Sequence, residues 1–134
     1  MDSLDELFAA ALAARGKAYA PYSRFPVGAA VRTASGTVHA GCNVENAAYP
    51  VGVCAETSAI SAMVLAGDSR IAEIVVVGGG PQALTPCGAC RQRISEFASA
   101  DTKVHCASLD GIRATYFLRE LLPNAFGTGV LPKP

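Results

Sequence analysis

No charge of either sign predominates in these 134 residues, because eleven Lys and Arg are matched by eleven Asp and Glu. Proteins that neutralise nucleic-acid phosphates usually carry a basic excess, so its absence argues against that class of partner. Charge is also sparse, at 16% of residues, while 51% are apolar. That balance excludes a disordered polymer and favours a compact domain. Tryptophan is missing altogether. No apolar run is long enough to span a bilayer, and no basic segment followed by an apolar stretch opens the sequence. Neither a transmembrane helix nor a signal peptide is therefore expected, and the expected compartment is the cytoplasm. Internal repeats, linkers and low-complexity blocks are absent too, so residues 1–134 read as one domain of ordinary size. So apolar a composition in so small a chain suggests that part of its surface is buried between subunits.

What is present alternates between helix and strand. Ser3 and Glu6 have the spacing of a capping box, and Leu4, Leu7, Phe8, Ala11 and Leu12 recur at helical intervals. This predicts a first helix running to about Ala18. Pro21 and Pro26 make the next segment a loop. Val27–Arg32 and Thr37–Ala40 read as a hairpin around Ala34-Ser35-Gly36. Gly41–Val53 is irregular and polar. A helix of small and apolar residues is expected from Cys54 to Ala66, stopped by Gly67. The run Ile74-Val75-Val76-Val77 is expected in a strand, Ile71–Val77, buried on both faces. A further helix, Cys87 to about Ala98, follows Pro86. Strands are expected over Val104–Cys106 and Ile112–Tyr116 around an Asp110-Gly111 turn, and a short helix over Phe117–Leu122 ahead of Pro123. The order implies an α/β domain with helices on both faces of one sheet.

Five cysteines in a chain expected in a reducing compartment point to metal or chemistry rather than to a disulfide framework. Cys54-Ala55-Glu56 is followed by Pro86-Cys87-Gly88-Ala89-Cys90. Two thiolates at the start of one helix and a third at the start of another form three sides of a tetrahedron. Zinc accepts such ligands, and a catalytic zinc keeps its fourth position for water. Helix N-termini favour the thiolate form. Two other readings stay open on the cysteines alone. One is a structural zinc completed by Cys42, Cys106, His39 or His105; the other is a redox Cys87/Cys90 pair. Glu56 bears on the choice. A carboxylate in the first turn of an otherwise small and apolar helix costs desolvation energy unless it has a partner or a task, and acid/base work beside a zinc-held water is such a task.

These residues carry a resemblance. A Cys-x-Glu motif followed by Pro-Cys-x-x-Cys is the signature of zinc deaminases. Tyr19 to Ala30, Gly41 to Tyr49, Cys54 to Glu56, Pro86 to Gln92 and Leu121 to Phe126 resemble the small homotetrameric cytidine deaminases of the three-cysteine type. The resemblance spans essentially the whole chain. It implies a three-layer α/β/α fold with a mixed, about five-stranded sheet. It also implies hydrolytic deamination of cytidine and deoxycytidine to uridine and deoxyuridine plus ammonia, within pyrimidine salvage. By the same resemblance, Cys54, Cys87 and Cys90 bind one zinc per chain and Glu56 shuttles protons. Phe25 stacks on the pyrimidine, and Asn43 and Glu45 bond the ribose. Ala55 offers backbone groups to the base, and the Thr85 carbonyl receives the exocyclic amine. Ala47, Tyr49 and Phe126 reach a neighbouring subunit's pocket. Neither nucleic acid nor membrane is an expected partner.

Three rivals stand beside this reading: a nucleic-acid editing deaminase, a deaminase of another amino-pyrimidine or guanidine-like compound, and a non-catalytic zinc module. The chain also departs from the resemblance. Many members carry arginine immediately after the catalytic glutamate, where this sequence has Thr57. Three thiolates around a divalent ion leave a net negative charge, which weakens its Lewis acidity unless something offsets it. Arg91, adjacent to Cys90, is the nearest full positive charge in sequence, and the expectation is that it supplies this compensation.

Overall fold

The computed structural model describes residues 3–127 and 129–131. Its elements are α1 (Ser3–Arg15), β1 (Gly28–Thr33), β2 (Val38–Cys42), α2 (Ala55–Leu65), β3 (Ile71–Val77), α3 (Gly88–Phe97), β4 (Lys103–Ser108), β5 (Gly111–Phe117) and α4 (Leu118–Leu121). The five strands form one sheet in the order β2-β1-β3-β4-β5. Strands β3 and β4 are parallel and every other pair is antiparallel. The parallel pair needs a crossover connection, and α3 provides it.

The expected strand at Ile71–Val77 is the middle of this sheet, and Ile74, Val75, Val76 and Val77 are all fully buried. Alternation along the strand divides them between two layers. Val75 and Val77 pack with Ala30, Ala107 and the α1 residues Leu7 and Ala11. Ile74 and Val76 pack with Ala29, Val31, Val104 and Cys106, under Ala59, Ile60 and Met63 of α2 and Ile94 of α3. The fold is thus the expected three-layer α/β/α arrangement around a mixed five-stranded sheet.

Both helices nearest the hairpin lie on glycines. A methyl group at Gly28 of β1 would fall 2.6 Å from Arg15 N, and nearer still to Ala11 O, on α1. One at Gly41 of β2 would fall 2.6 Å from Ser58 Cβ, and nearer still to Ala59 N, on α2. The absence of a side chain lets each helix backbone approach its strand directly. Helix α2 ends in a Schellman motif: Gly67 has φ 97°, Gly67 N–H donates to Val64 O and Asp68 N–H to Met63 O.

Several boundaries differ from expectation. Helix α1 stops at Arg15 rather than near Ala18, because Lys17 and Ala18 bond back only three residues, to Ala14 O and Arg15 O. Tyr19 is then drawn into pairing with the Asn43–Glu45 segment: Tyr19 N–H donates to Asn43 O at 3.0 Å, and Tyr19 O accepts from Glu45 N–H at 2.8 Å. Ser3 lies inside α1 rather than ahead of it. Strand β2 continues to Cys42 because Gly41 and Cys42 pair with Ala29 and Gly28. Strands β4 and β5 each extend past the expected ends. Pro132 and Pro134 of the tail lie outside the described residues.

Gly41→Ala tests the seating of α2. Overpacking of this kind costs ~1–3 kcal/mol, so the melting temperature is expected to fall by roughly 5–15 °C. An unchanged melting curve would show that α2 does not depend on that contact.

Candidate metal centre and cleft

Helices α2 and α3 begin at the same end of the sheet, and each begins on a cysteine. Cys54 caps α2 and Cys87 caps α3, both with extended backbone and without a side-chain cap bond. The N–H groups of both first turns therefore have no capping side chain to satisfy them. Cys90 sits in the first turn of α3 and is fully buried. The three Sγ atoms lie within 4.8 Å of one another. Tetrahedral ligands at a Zn–S distance of ~2.3 Å stand about 3.8 Å apart, so small side-chain adjustments bring these three onto one ion.

Electrostatics points the same way. Burial pushes the Cys54 and Cys90 thiols above their ordinary value, and the neighbouring Glu56 carboxylate raises both further. The Cys87 thiol is also penalised by burial, yet bonds from the Cys90 backbone and from the Cys90 and Cys54 side chains hold it below the usual value. Such a group ionises in full only around a cation. The donor set fits one zinc ion per chain: three sulfur ligands gathered at two helix N-termini.

Among the described residues no fourth protein ligand joins this cluster. His105 lies on the α1 side of the sheet, bonded to Thr115 Oγ1 and Glu73 Oε2 at 2.8 Å each. His39 lies 3.9 Å from Asp68 Oδ2. Cys106 is buried in the α2/α3 layer, and burial raises its thiol to about 11. Three sulfurs without a fourth protein ligand among the described residues match the open type of zinc site rather than the closed structural type.

Glu56 is only 4% exposed, and burial raises its carboxyl above the usual carboxylate range, opposed by its own backbone N–H, by the charge of Arg93 and by Cys90. It lines a cleft of about 420 Å³ together with Cys54, Cys87, Phe25, Asn43 and Glu45. Ala55, Thr85 and Tyr49 line it too. Residues expected from separate stretches of sequence thus meet at one opening.

The cleft's outer wall is held by its own polar groups. Asn43 Oδ1 accepts from Val27 N–H at 2.9 Å, and its amide donates to Phe25 O at 3.0 Å. Glu45 accepts from the N–H groups of Tyr22 and Ser23 at 2.9 and 3.1 Å, and from the Ser23 hydroxyl. The Ser23 bonds, hydroxyl first, hold its carboxyl below the usual range. Arg24 adopts φ 56°, and the tight loop it closes leaves the Phe25 ring 42% exposed. Tyr49 and Phe126 are exposed at 74% and 56%, and Ala47 is exposed as well.

The arginine expected to offset the cluster's charge is directed elsewhere. Arg91 donates from Nε to Pro86 O at 2.8 Å and from Nη1 to Leu121 O at 3.0 Å. A residue one position after Cys90 turns about 100° away on a helix, whereas one three positions later shares its face. Arg93 is that residue, and its Nη1 lies 3.9 Å from Cys90 Sγ. The i+3 spacing from Cys90 to Arg93 is the signal in the sequence that points to this contact. Tyr22 and Ser23 leave little signal in the sequence, because their part is played largely by backbone N–H groups.

A family model described as the cytidine and deoxycytidylate deaminase zinc-binding region matches residues 1–107. The cytidine deaminase of Sporosarcina psychrophila is 41% identical over 123 residues, covering 92% of this chain and 90% of that protein. That of Halalkalibacterium halodurans is 44% identical over 116 residues, covering 87% and 88%. The crystal structure of the cytidine deaminase from Burkholderia pseudomallei superposes with a TM-score of 0.85 at 44% identity, over 91% of this chain and 98% of that one.

Purified protein is expected to contain about one zinc per chain, and Cys87→Ala to lose most of it. Full zinc occupancy of that variant by elemental analysis would remove Cys87 from the ligand set.

Proposed function

The chain belongs to the cytidine and deoxycytidylate deaminase family, and from that premise we propose that it hydrolyses cytidine and deoxycytidine to uridine and deoxyuridine with release of ammonia. The observation that carries this reading is the single cleft shared by two of the clustered cysteines, Glu56, Phe25, Asn43 and Glu45. When bound, zinc supplies Lewis acidity and lowers the pKa of a water at its open position.

The protein's own residues do the rest. Glu56, held out of bulk water, takes a proton from the attacking water and delivers it to N3 of the ring, which makes C4 a better electrophile. Oxygen bonds to C4. Glu56 then moves the hydroxyl proton of the tetrahedral centre to the amine, the C4–N bond breaks, and ammonia departs. One water is consumed and the base leaves with its C4 carbonyl. Ala55 N–H, in the uncapped first turn of α2, meets the base, and the Thr85 carbonyl receives the exocyclic amine.

Phe25 stacks on the pyrimidine with its half-exposed ring. Asn43 and Glu45 recognise the sugar, particularly its 3′-hydroxyl. Glu45 has about four lone-pair sites and three are taken, so it can accept one more hydroxyl; Asn43 keeps an N–H to donate. Positioning of this kind supplies much of the rate in a two-reactant step.

The residues act in one domain spanning 1–134. The exposed Tyr49 and Phe126 rings, with Ala47, reach the pocket of a neighbouring copy in a homotetramer. Gln92 Nε2 holds Phe126 O at 2.9 Å, which presents that ring from the side of α3. A role in pyrimidine salvage and a cytoplasmic location complete the reading. Among the described residues no helix is long and apolar enough to cross a membrane, and a reducing compartment keeps three thiols available for metal.

Ultraviolet absorbance loss tests the reaction on a panel of cytidine, deoxycytidine, cytosine and cytidine 3′-monophosphate. The two nucleosides are expected to turn over. Cytosine lacks the sugar, and the 3′-phosphate meets the Glu45 carboxylate, so both should react far more slowly. Glu56→Ala should keep its zinc and lose activity by about 100- to 10,000-fold. Activity within tenfold of wild type would take the proton shuttle away from Glu56. Sedimentation at assay concentration should find a tetramer, and an active monomer would end the composite-pocket idea.

A further inference from the structure

A cluster of three thiolates around a divalent ion carries one net negative charge, and Glu56 beside it adds another when ionised. Helix N-termini contribute about half a unit of positive charge each. The position after Glu56 adds none. It is Thr57, whose Oγ1 is buried with no hydrogen-bond partner among the described residues. Arg91 is spent on two backbone carbonyls. These contacts clasp the Pro86 and Leu121 segments to α3.

Arg93 remains. It lies one helical turn from Cys90, its Nη1 is 3.9 Å from Cys90 Sγ, and its charge also acts on Glu56. The residue as a whole is exposed, so its guanidinium reaches the cluster while retaining access to water and avoids the desolvation cost of a fully buried cation.

We propose that Arg93 is a positioning residue for the metal centre: it donates to the Cys90 thiolate and supplies the side-chain positive charge that Thr57 does not. A hydrogen bond to a metal-bound thiolate withdraws charge from sulfur, orients the ligand and leaves the ion more electrophilic. Arg93 is not a catalytic residue, because it contacts a ligand rather than the substrate. The proposal rests on the reading of Cys54, Cys87 and Cys90 as zinc ligands.

The test compares wild type, Arg93→Gln and Arg93→Lys as zinc-loaded proteins. The first readout is the rate of zinc release to a chelator in excess, and the second is kcat and KM for cytidine. Circular dichroism of each loaded protein confirms an unchanged fold, which the exposed position of Arg93 favours. Arg93→Gln is expected to weaken zinc retention by about 10- to 100-fold, the usual effect of removing a group that supports a ligand. Its kcat should fall while KM stays near wild type. Arg93→Lys keeps the charge and should recover a large part of both losses. Zinc release from Arg93→Gln at the wild-type rate would overturn the proposal. So would equal losses in the Gln and Lys variants, since charge would then not be the cause. Wild-type protein that purifies without zinc and fails to take it up would instead overturn the ligand assignment on which the proposal stands.

Discussion

Three thiols and a carboxyl occupy one partly buried place at the start of two helices, and they cannot all carry their charges there without a cation. Burial alone drives the thiols of Cys54 and Cys90 and the carboxyl of Glu56 toward their neutral forms. A divalent ion reverses that balance for the sulfurs and leaves Glu56 as the group that is not a ligand. On the proposed reading, the division of labour between three residues that hold a metal and one that moves protons follows from where the side chains lie. Cys54 and Glu56 are two positions apart on one helix, while Cys87 and Cys90 approach from the other.

Holding two helix N-termini together requires a rigid platform, and the sheet provides it through its smallest residues. Helix α2 lies against Gly41 so closely that its backbone touches the strand, and Ala55 and Ala59 carry that approach along the helix. Gly28 does the same for α1 on the opposite face. The parallel pair β3 and β4 fixes α3 as the crossover between them. The relative placement of Cys54 and Cys87 therefore depends on small residues lying well outside the centre. Bulk introduced there is expected to misalign the metal site, since the ligands tolerate only small displacements.

Much of this was legible in the sequence. The Ile74–Val77 run reads as a strand buried on both faces because no polar residue interrupts it. Gly67 reads as a helix stop because the Schellman turn needs positive φ there. The cysteine spacing reads as metal chemistry because zinc constrains both ligand type and number. Arg93 was less legible, since adjacency in sequence and adjacency in space differ on a helix: Arg91 follows Cys90 in the chain, and Arg93 follows it on the surface. The end of α1 is hidden from the sequence for another reason. Ala18 favours helix locally, but pairing of Tyr19 with Asn43 and Glu45 is a tertiary contact that no local pattern contains.

That pairing also gives Asn43 and Glu45 work to do before any nucleoside arrives. Asn43 binds the backbone on both sides of Pro26, and Glu45 binds the turn at Tyr22 and Ser23. The loop that carries Phe25 is thereby tied to the segment that, on the proposed reading, recognises ribose. Preorganisation of this kind lowers the ordering cost of binding. On the same reading it makes the two functions inseparable: a substitution at Glu45 would remove a sugar contact and also release the loop that carries Phe25. A simple loss of sugar affinity would appear in KM alone. Release of Phe25 would misplace the base relative to Glu56 as well, and would appear in kcat. Because the carboxylate bonds to the turn at both its oxygens, Glu45→Gln should disturb both parameters, and the two effects belong to one hydrogen-bonded unit rather than to two independent contacts.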